Sequence, residues 1–229
     1  MMNLIMFDID GTLTHTFEHD LEIFEVSIAE VLKYPLFKMD LNEYIDKTSA
    51  GVTEEAIRKF KGRDPKTREV LKVKNKVLKN LRKTYRESSQ AFSEVPGASV
   101  FINQLRQLEG VRIAIATGCW HKEALFKLKA SRLNITGIPL ATSDDDRNRI
   151  RIMEIAAERA RDFYECSRFK HVVYIGDGLW DLHASRDLGY SFIGIGSQIQ
   201  PFIEKDDFVW FQDFRESEAI LSTITRLLM

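Results

Sequence analysis

The sequence has few cysteines, no long apolar run and no excess of either charge, and each absence excludes a class of protein. Its two cysteines, Cys119 and Cys166, form neither a disulfide framework nor a metal-ligand spacing. No stretch approaches the roughly 20 apolar residues of a membrane span. The formal net charge of -1 gives no global basic field for nucleic acid or an anionic membrane. We therefore expect a protein of a reducing, cytoplasmic setting that binds neither nucleic acid nor membrane.

What the sequence does contain is enough apolar material for a sizeable core. The chain has 229 residues, of which 44% are hydrophobic and 29% are charged, as expected for one large domain or two unequal ones. Strand-type apolar runs occupy residues 4–7, 111–116, 172–175, 191–195 and 208–211. Helical stripes lie between them within 98–108, 149–163 and 216–228, and the first two include Val100, Leu108 and Phe163. This alternation predicts an α/β fold with a parallel sheet covered on both faces.

Two carboxylates follow the first strand run directly. Asp8 and Asp10 are two residues apart, and Gly11 comes next, so a tight turn can bring both acids towards one point. At ~4 Å and an effective dielectric constant of about 20, two carboxylates repel by roughly 4 kcal/mol. Either one of them takes up a proton or a cation sits between them, and Mg²⁺ suits oxygen ligands of this kind. A turn with two solvated acids is the alternative reading.

Three of the predicted strands end in polar, glycine-containing turns. The first ends at Asp8-Ile9-Asp10-Gly11, the second at Thr117-Gly118, and a third at Gly176-Asp177-Gly178. In open parallel sheets, ligands gather beyond the carboxyl ends of the strands. We therefore expect the three turns to converge on one edge of the sheet.

Residues 15–93 interrupt this alternation with a helical segment. Stripes of apolar residues predict a helix ending before Pro35, a short helix near Leu41, another capped by Thr53 and running to Gly62, and a long one from Pro65. The segment begins directly after the acidic turn, so we expect it to form a mobile lid over the site. The alternative is a helical bundle that packs rigidly elsewhere on the core. The predicted division is a core of residues 1–14 and 94–229 and a helical cap of residues 15–93.

The order of the three turns resembles the haloacid dehalogenase-like hydrolase superfamily. The motifs that carry the resemblance are Asp8-Ile9-Asp10-Gly11-Thr12-Leu13-Thr14, Thr117-Gly118 and Gly176-Asp177-Gly178-Leu179-Trp180-Asp181. The insertion resembles, in position and type, the helical cap of the phosphoglycolate-phosphatase-like and phosphoglucomutase-like branch. The resemblance implies a Rossmann-like core with an inserted α-helical cap domain.

The resemblance also implies a role for each polar turn. Asp8 resembles the nucleophile that attacks phosphorus and becomes an aspartyl phosphate. Asp10 resembles the general acid and base, which should hold a proton while Asp8 does not. Thr117 and Gly118 resemble the pair that holds phosphoryl oxygens.

A magnesium site is implied at the same edge. Asp177 and Asp181 resemble metal-site acids, and Asp8 and the main-chain carbonyl of Asp10 would complete an oxygen-rich set for Mg²⁺. Asp181 has a second reading as a helix N-terminal charge that complements the dipole. The five histidines are scattered, so no cluster competes for a softer metal.

The superfamily also needs a cation that offsets the charge of Asp8 and the phosphoryl group. Three arginines, Arg147, Arg149 and Arg151, lie in the expected window. Asn148 is a good N-cap and would place Arg149 at the first helical position, so we select Arg149. The register leaves Arg147 and Arg151 open.

These observations predict a Mg²⁺-dependent phosphatase acting on a small phosphorylated metabolite. A phosphoglucomutase-like phosphotransferase would keep the same core residues. A dehalogenase would need neither Asp10 nor Asp177, a non-catalytic scaffold would be expected to have lost Asp8 or Asp10, and phosphonate cleavage would need a Schiff-base lysine on the cap. His15 either contacts substrate or packs at the hinge. The sequence does not indicate the metabolite or the oligomeric state.

Overall fold

A six-stranded parallel sheet organises the core. The computed structural model describes residues 2–206 and 208–229. The strands are β1 Met2–Phe7, β2 Val111–Ala116, β3 Leu140–Ala141, β4 Phe169–Gly176, β5 Ser191–Ile195 and β6 Val209–Phe211. Their order in the sheet is β3-β2-β1-β4-β5-β6, and every neighbouring pair is parallel. The α/β fold expected from the alternation of strands and helices is confirmed.

The helices lie on both faces of this sheet or in the insertion. They are α1 Phe17–Leu32, α2 Ser49–Lys61, α3 Thr67–Glu87, α4 Ala98–Gln107, α5 His121–Ala130, α6 Arg149–Phe163, α7 Leu179–Asp187, α8 Ile203–Asp206 and α9 Ser217–Leu227. No helix among the described residues is long and apolar enough to cross a membrane.

Strand β1 is apolar throughout its second half because helices cover both faces. Ile5 and Phe7 belong to the apolar cluster that includes residues of α4, α5 and α9, whereas Leu4 and Met6 point to the cluster shared with α6 and α7. Successive side chains of a strand point to opposite faces, so a strand in the middle of a two-sided core needs an unbroken apolar run. This unbroken apolar run is the pattern from which the sequence predicted β1.

Three apolar residues that we placed on buried helix faces are exposed instead. Val100 is 58% exposed, Leu108 is 38% exposed and lies just beyond α4, and Phe163 is 57% exposed at the end of α6. The buried face of α4 is formed by other residues, among them Phe101 and Leu105. Val100 precedes Phe101 by one position, so it points about 100° away from that face.

Helices α1, α2 and α3 form the insertion between β1 and β2, and no strand occurs within residues 17–93. They share an apolar cluster that includes Phe24, Ile57 and Val77, and Trp120 of the core joins it by stacking on Phe24 at 5.6 Å between ring centroids. The expected cap residue of α2 was wrong. Thr48 is the N-cap, because its Oγ1 accepts from the Gly51 amide at 3.1 Å, and Thr53 lies buried inside the helix.

The two ends of the insertion meet beside the first turn. The His15 amide donates to the Ser93 carbonyl, and the Val95 amide donates to the Leu13 carbonyl, both at 2.9 Å. The chain therefore leaves the core and returns to it through one pair of hydrogen-bonded segments.

Candidate active site

The ends of three neighbouring strands supply the polar side chains of the candidate site. Asp8 follows β1, Thr117 follows β2, and Asp177 follows β4, and these strands lie side by side in the order β2-β1-β4. A cavity of about 80 Å³ opens there, lined by Asp8, Asp10, Thr117, Gly118 and Arg149 among others. The expected convergence of the three turns is thus present in the structure.

The turn after β1 comes so close to Asp177 that only glycine fits. Gly11 has φ +73°, and a Cβ placed on it would lie 1.8 Å from Oδ2 of Asp177. Glycine is the residue that tolerates both the left-handed backbone and the missing space. The close approach brings the acids of the first and third turns together.

Asp8, Asp177 and Asp181 form what we call the strand-end group. One carboxylate oxygen from each lies within 4.8 Å of the others, and all three residues are buried. Neither oxygen of Asp177 has a hydrogen-bond partner among the residues that the structure describes. Burial and the neighbouring Asp8 and Asp181 raise the pKa of Asp177 well above its ordinary value, and burial raises that of Asp181 to about 7.

These carboxylates fit a hard divalent cation. Mg²⁺ prefers oxygen ligands and is held by a few carboxylates together with substrate phosphate. Asp177 has two buried acceptor atoms that nothing described in the protein satisfies, and buried carboxylates need a positive partner to remain ionised. The donor set therefore meets the requirements of such an ion.

Arg149 is the arginine that reaches the strand ends. It is the first residue of α6, whose N-cap Asn148 accepts from the Arg151 amide at 3.3 Å. Its Nη1 lies 3.1 Å from Oδ1 of Asp8 and 3.5 Å from Oδ1 of Asp181. Its Nε is buried without a hydrogen-bond partner in the described part of the chain.

The other two arginines of the window point away from the strand ends. Arg147 pairs with Glu54 at 3.0 Å, and Arg151 pairs with Glu154 of its own helix. Both side chains are half-exposed. Because a helix advances about 100° per residue, Arg149 and Arg151 leave the start of α6 in different directions.

Thr117 and Gly118 lie where β2 ends beside Arg149. The Thr117 hydroxyl is buried and accepts from the Cys119 amide at 3.2 Å. A Cβ on Gly118 would come within 2.9 Å of Nη2 of Arg149 and 3.2 Å of the Lys47 carbonyl oxygen. A side chain at position 118 would therefore displace the arginine or the insertion.

The carboxylate of Asp10 belongs to a different group, which the sequence analysis did not identify. Lys127 of α5 is 0% exposed, and its Nζ lies 3.0 Å from Asp10, 2.8 Å from Asp20 and 2.7 Å from Glu123. We call these four residues the lysine group. The pair Glu123 and Lys127 has the i,i+4 spacing of a surface ion pair, so its pattern gave no sign of burial.

The pKa directions of the first two acids run opposite to the roles that the resemblance implies. Burial raises the pKa of Asp8, and the lowering effect of Arg149 does not cancel it. Burial also acts to raise the pKa of Asp10, but the Lys127 ammonium and hydrogen bonds from Cys119 and Thr16 outweigh it, so that pKa is lowered. Asp10 is therefore held in its ionised form in this structure.

His15 is not brought to the cavity of Asp8 and Arg149. It is exposed and lines a second cavity of about 260 Å³ together with His19, Asp177 and Gln212 among others. Both cavities adjoin the turn after β1, since Asp8 lines the first and Gly11 lines the second.

The start of α2 covers the first cavity and is bonded to the core. The Ser49 amide donates to the Gly118 carbonyl at 2.8 Å, and the Thr48 hydroxyl donates to the Arg147 carbonyl at 2.7 Å. Apolar side chains of the insertion complete this side of the cavity, namely Leu21, Phe24, Met39, Leu41 and Val52.

Comparison with known families identifies the class of protein. A family model described as haloacid dehalogenase-like hydrolase matches residues 5–195, which include all three strand-end turns and Arg149. The chain therefore belongs to the haloacid dehalogenase-like hydrolases and is an enzyme of the hydrolase class. Among curated proteins, none matches this chain.

Solved structures share the fold at low sequence identity. A hydrolase from Pseudomonas syringae has a TM-score of 0.72 at 21% identity, with 98% of this chain and 99% of that chain covered. A family IA, variant 3 hydrolase from Entamoeba histolytica has a TM-score of 0.72 at 16% identity, with 98% and 100% covered. CbbY from Rhodobacter sphaeroides in complex with phosphate has a TM-score of 0.66 at 20% identity, with 94% and 96% covered.

Proposed function

We propose that this chain is a cytoplasmic, Mg²⁺-dependent phosphatase that hydrolyses a small phosphorylated metabolite, with the phosphoryl group carried transiently on Asp8. The observation that carries the proposal is the placement of Asp8. It lies at the end of β1, 3.1 Å from the Arg149 guanidinium and in one group with two further buried carboxylates. A nucleophilic acid beside a fixed cation and an oxygen-rich site suits phosphoryl transfer.

In the proposed reaction, an Asp8 oxygen forms a bond to phosphorus while the bond to the leaving oxygen breaks. Arg149, the Thr117 hydroxyl and the Gly118 amide would hold the phosphoryl oxygens. Asp10 would give a proton to the leaving oxygen and then take one from the water that releases phosphate from Asp8. Because Lys127 keeps the pKa of Asp10 low, Asp10 would have to take up a proton from solvent when the substrate dianion binds, since the negative charge of the dianion raises that pKa.

The proposed metal ligands are the Asp8 and Asp177 carboxylates and the Asp10 main-chain carbonyl, with Asp181 holding metal-bound water. When bound, Mg²⁺ would offset negative charge on the phosphoryl oxygens and would favour the ionised form of Asp8. The lysine group is a poor alternative site for the ion, because the Lys127 ammonium already contacts its three carboxylates.

The insertion, residues 15–93, is proposed to act as a cap that covers the cavity. Thr48 and Ser49 hydrogen-bond to the core beside Arg149 and Gly118, and a cap that closes over a reacting phosphoryl group excludes water. The small cavity volume of about 80 Å³ favours a small leaving group. His15 and Asp177 both line the second cavity, and no step of the proposed reaction is assigned to His15.

Release of phosphate from 4-nitrophenyl phosphate, with Mg²⁺ and with EDTA, tests the proposal. We expect Mg²⁺-dependent turnover that falls by about 10⁴-fold or more in Asp8→Asn. The matched control is Asp64→Asn, which changes a highly exposed carboxyl of the insertion and should keep the wild-type rate. Circular dichroism of Asp8→Asn should show a folded core.

Other outcomes of this assay identify other functions. Wild-type turnover in Asp8→Asn would remove Asp8 from the nucleophile role. Halide release from a haloacid would indicate a dehalogenase, and transfer of phosphate to a sugar phosphate instead of water would indicate a phosphotransferase. A wild-type protein without turnover under any divalent metal would contradict the proposal.

A further inference from the structure

Lys127 is a buried cation that enters the proposed reaction only through its effect on the pKa of Asp10. A fully buried lysine is rare and costly unless it is paired. Here the ammonium lies within 3.0 Å of a carboxylate oxygen from each of Asp10, Asp20 and Glu123, and its side chain is 0% exposed. The Sγ of Cys119 is also within 3.2 Å. The ammonium is therefore fixed from several sides.

The partners of Lys127 come from both the core and the insertion. Asp10 belongs to the turn after β1, and Asp20 belongs to α1. Glu123 uses one oxygen for Lys127 and the other for the Ser49 hydroxyl of α2, at 3.0 Å. A chain of contacts therefore runs from the insertion through Glu123 and Lys127 to Asp10.

Donors on both sides fix the orientation of the Asp10 carboxylate. Its Oδ1 accepts from the Thr16 hydroxyl, and its Oδ2 accepts from the Cys119 thiol at 2.7 Å and from Lys127 at 3.0 Å. Of these donors, Lys127 is the one that carries a charge and the one held on a helix. Charged donors form the stronger hydrogen bonds.

We propose, on the basis of the phosphatase function proposed above, that Lys127 is the positioning residue for Asp10 and that it ties this carboxylate to the docked insertion through Glu123 and Ser49. The ammonium touches no reacting atom itself. It holds Asp10 at the wall of the cavity, where the leaving oxygen of a phosphate ester would lie. A purely structural ion pair would stabilise the fold without any preference among substrates.

A positioning role and a purely structural role of Lys127 predict different effects of its removal on esters with different leaving groups. A phenolate with a low pKa leaves without a proton, whereas one with a high pKa needs the proton that Asp10 is proposed to give. Misplacing Asp10 should therefore slow the reaction of esters with poor leaving groups more than that of esters with good ones. The ratio kcat/KM is the suitable measure, because it includes the steps up to cleavage of the ester bond.

The experiment compares aryl phosphates of increasing phenol pKa in Lys127→Met, a change that keeps the length of the side chain and removes its charge. We expect kcat/KM to fall about 100-fold for phenyl phosphate and less than about 10-fold for 4-nitrophenyl phosphate. Lys129→Met, on the exposed side of the same helix, should leave both values unchanged, and Lys127→Arg should recover part of the loss. An equal loss for all esters would overturn the proposal.

A second readout does not depend on catalysis. In a Cys166→Ser background, Cys119 is the single thiol, and it lies buried in the cavity between core and insertion. If Lys127 ties the insertion to Asp10, labelling of Cys119 by a thiol reagent should be about tenfold faster in Lys127→Met and unchanged in Lys129→Met. An unchanged labelling rate in Lys127→Met would contradict the proposed link between Asp10 and the insertion. A wild-type protein without phosphatase activity would contradict the phosphatase proposal alone.

A milder variant covers the case in which Lys127→Met fails to fold. Ser49→Ala removes only the hydroxyl between α2 and Glu123 and leaves the buried charges paired. We expect kcat/KM of Ser49→Ala to fall more for phenyl phosphate than for 4-nitrophenyl phosphate, with smaller losses than in Lys127→Met. Cys119 should also be labelled faster than in the wild type. A loss that does not depend on the leaving group, together with unchanged labelling, would overturn the proposal.

Discussion

The strand-end group and the lysine group each contain three carboxylates, but the lysine group includes its cation, whereas the cation of the strand-end group, Arg149, lies beside it. In the lysine group, Lys127 contacts all three acids. In the strand-end group, Arg149 contacts Asp8 and Asp181, and Asp177 has no hydrogen-bond partner among the described residues. In the lysine group every acid therefore contacts a cation of the chain, whereas in the strand-end group both oxygens of Asp177 lack a hydrogen-bond partner among the described residues.

The pKa values of the acids differ within the lysine group as well as between the two groups. Burial raises the pKa of Asp177 and that of Asp20 well above the ordinary value, although Lys127 contacts Asp20. The pKa of Asp10 is lowered, because the Lys127 ammonium and hydrogen bonds from Cys119 and Thr16 together outweigh its burial. Composition alone therefore does not decide which acidic cluster suits a metal ion. The two groups differ in which acids their cation contacts, the cation being Lys127 of α5 in one case and Arg149, the first residue of α6, in the other.

The largest effect that tests this contrast is expected at Asp177. Asp177→Asn should reduce Mg²⁺-supported phosphatase activity by about 100-fold or more, because it removes the acid whose oxygens are free to bind the ion. Phosphate release measured across a Mg²⁺ titration gives both the rate and the midpoint. Glu123→Gln, in the lysine group, should leave the Mg²⁺ midpoint within about twofold of wild type.

The opposite result would reverse the assignment of the metal site. A shifted midpoint in Glu123→Gln, with an unshifted one in Asp177→Asn, would place the ion in the lysine group.

The second test concerns the cation of the strand-end group. Arg149→Met should lower kcat/KM about 100-fold, because it leaves Asp8 and the phosphoryl oxygens without their fixed positive charge. Arg151→Met, two residues along and half-exposed, should change kcat/KM less than about twofold. Steady-state kinetics on one aryl phosphate suffices, and equal losses in the two variants would contradict the choice of Arg149.

The third test uses pH on the metal-free protein. Burial raises the pKa of Asp181 to about 7, whereas in the unfolded chain the group titrates near its ordinary value of 3.8. Between these values the folded state binds more protons than the unfolded state, so the free energy of unfolding should fall as pH rises from about 4 to about 7. Urea unfolding in EDTA measures this slope.

Two variants check the source of that slope. It should be shallower in Asp181→Asn, with the other carboxyls whose pKa is raised, among them Asp177, Asp20 and Asp8, supplying the remainder. Asp145→Asn should keep the wild-type slope, because the partial burial of Asp145 is outweighed by hydrogen bonds from Arg159 that lower its pKa. A slope that persists unchanged in Asp181→Asn would show that this carboxyl does not hold its proton in the folded state.

The smallest effect is expected where α2 begins between the two groups. Thr48→Ala removes the N-cap hydroxyl and its bond to the Arg147 carbonyl, and it should lower the free energy of unfolding by about 1 kcal/mol. Thr53→Val should leave that free energy unchanged or raise it, since the Thr53 hydroxyl is buried and has no hydrogen-bond partner among the described residues. Denaturant unfolding measures both changes. A larger loss of stability in Thr53→Val than in Thr48→Ala would show that the cap assignment is wrong.

The sequence was sufficient for the features that rest on local pattern. The apolar runs identified five of the strands, including β1 and β2, and the order of polar turns indicated the family that the comparison shows. The strand β3 was missed because Leu140–Ala141 has only two residues, too short for any periodicity. Val100 was misplaced because an apolar residue at a helix edge carries no sign of which neighbour will cover it.

Only part of the candidate site could be predicted from the sequence, for a related reason. The window of three arginines followed from the resemblance, and the N-cap Asn148 gave a rule for choosing among them. Nothing local distinguishes Lys127 from the other lysines of α5, since its burial depends on Asp10 and Asp20, which lie more than 100 residues earlier in the chain. Long-range pairing of charges is a tertiary property.

The two hydrogen bonds that join residues 13–15 to residues 93–95 also bear on how the molecule assembles. Because the segments on either side of the insertion are hydrogen-bonded to each other, the 79 residues from 15 to 93 form a closed loop. This loop adds no strand to the sheet. We expect the core strands to pair around β1 without prior folding of this segment, at the modest entropic cost of closing the loop. We therefore expect that changes confined to the inserted helices would leave the order of the sheet strands unchanged, because both ends of the insertion are held at one place beside β1.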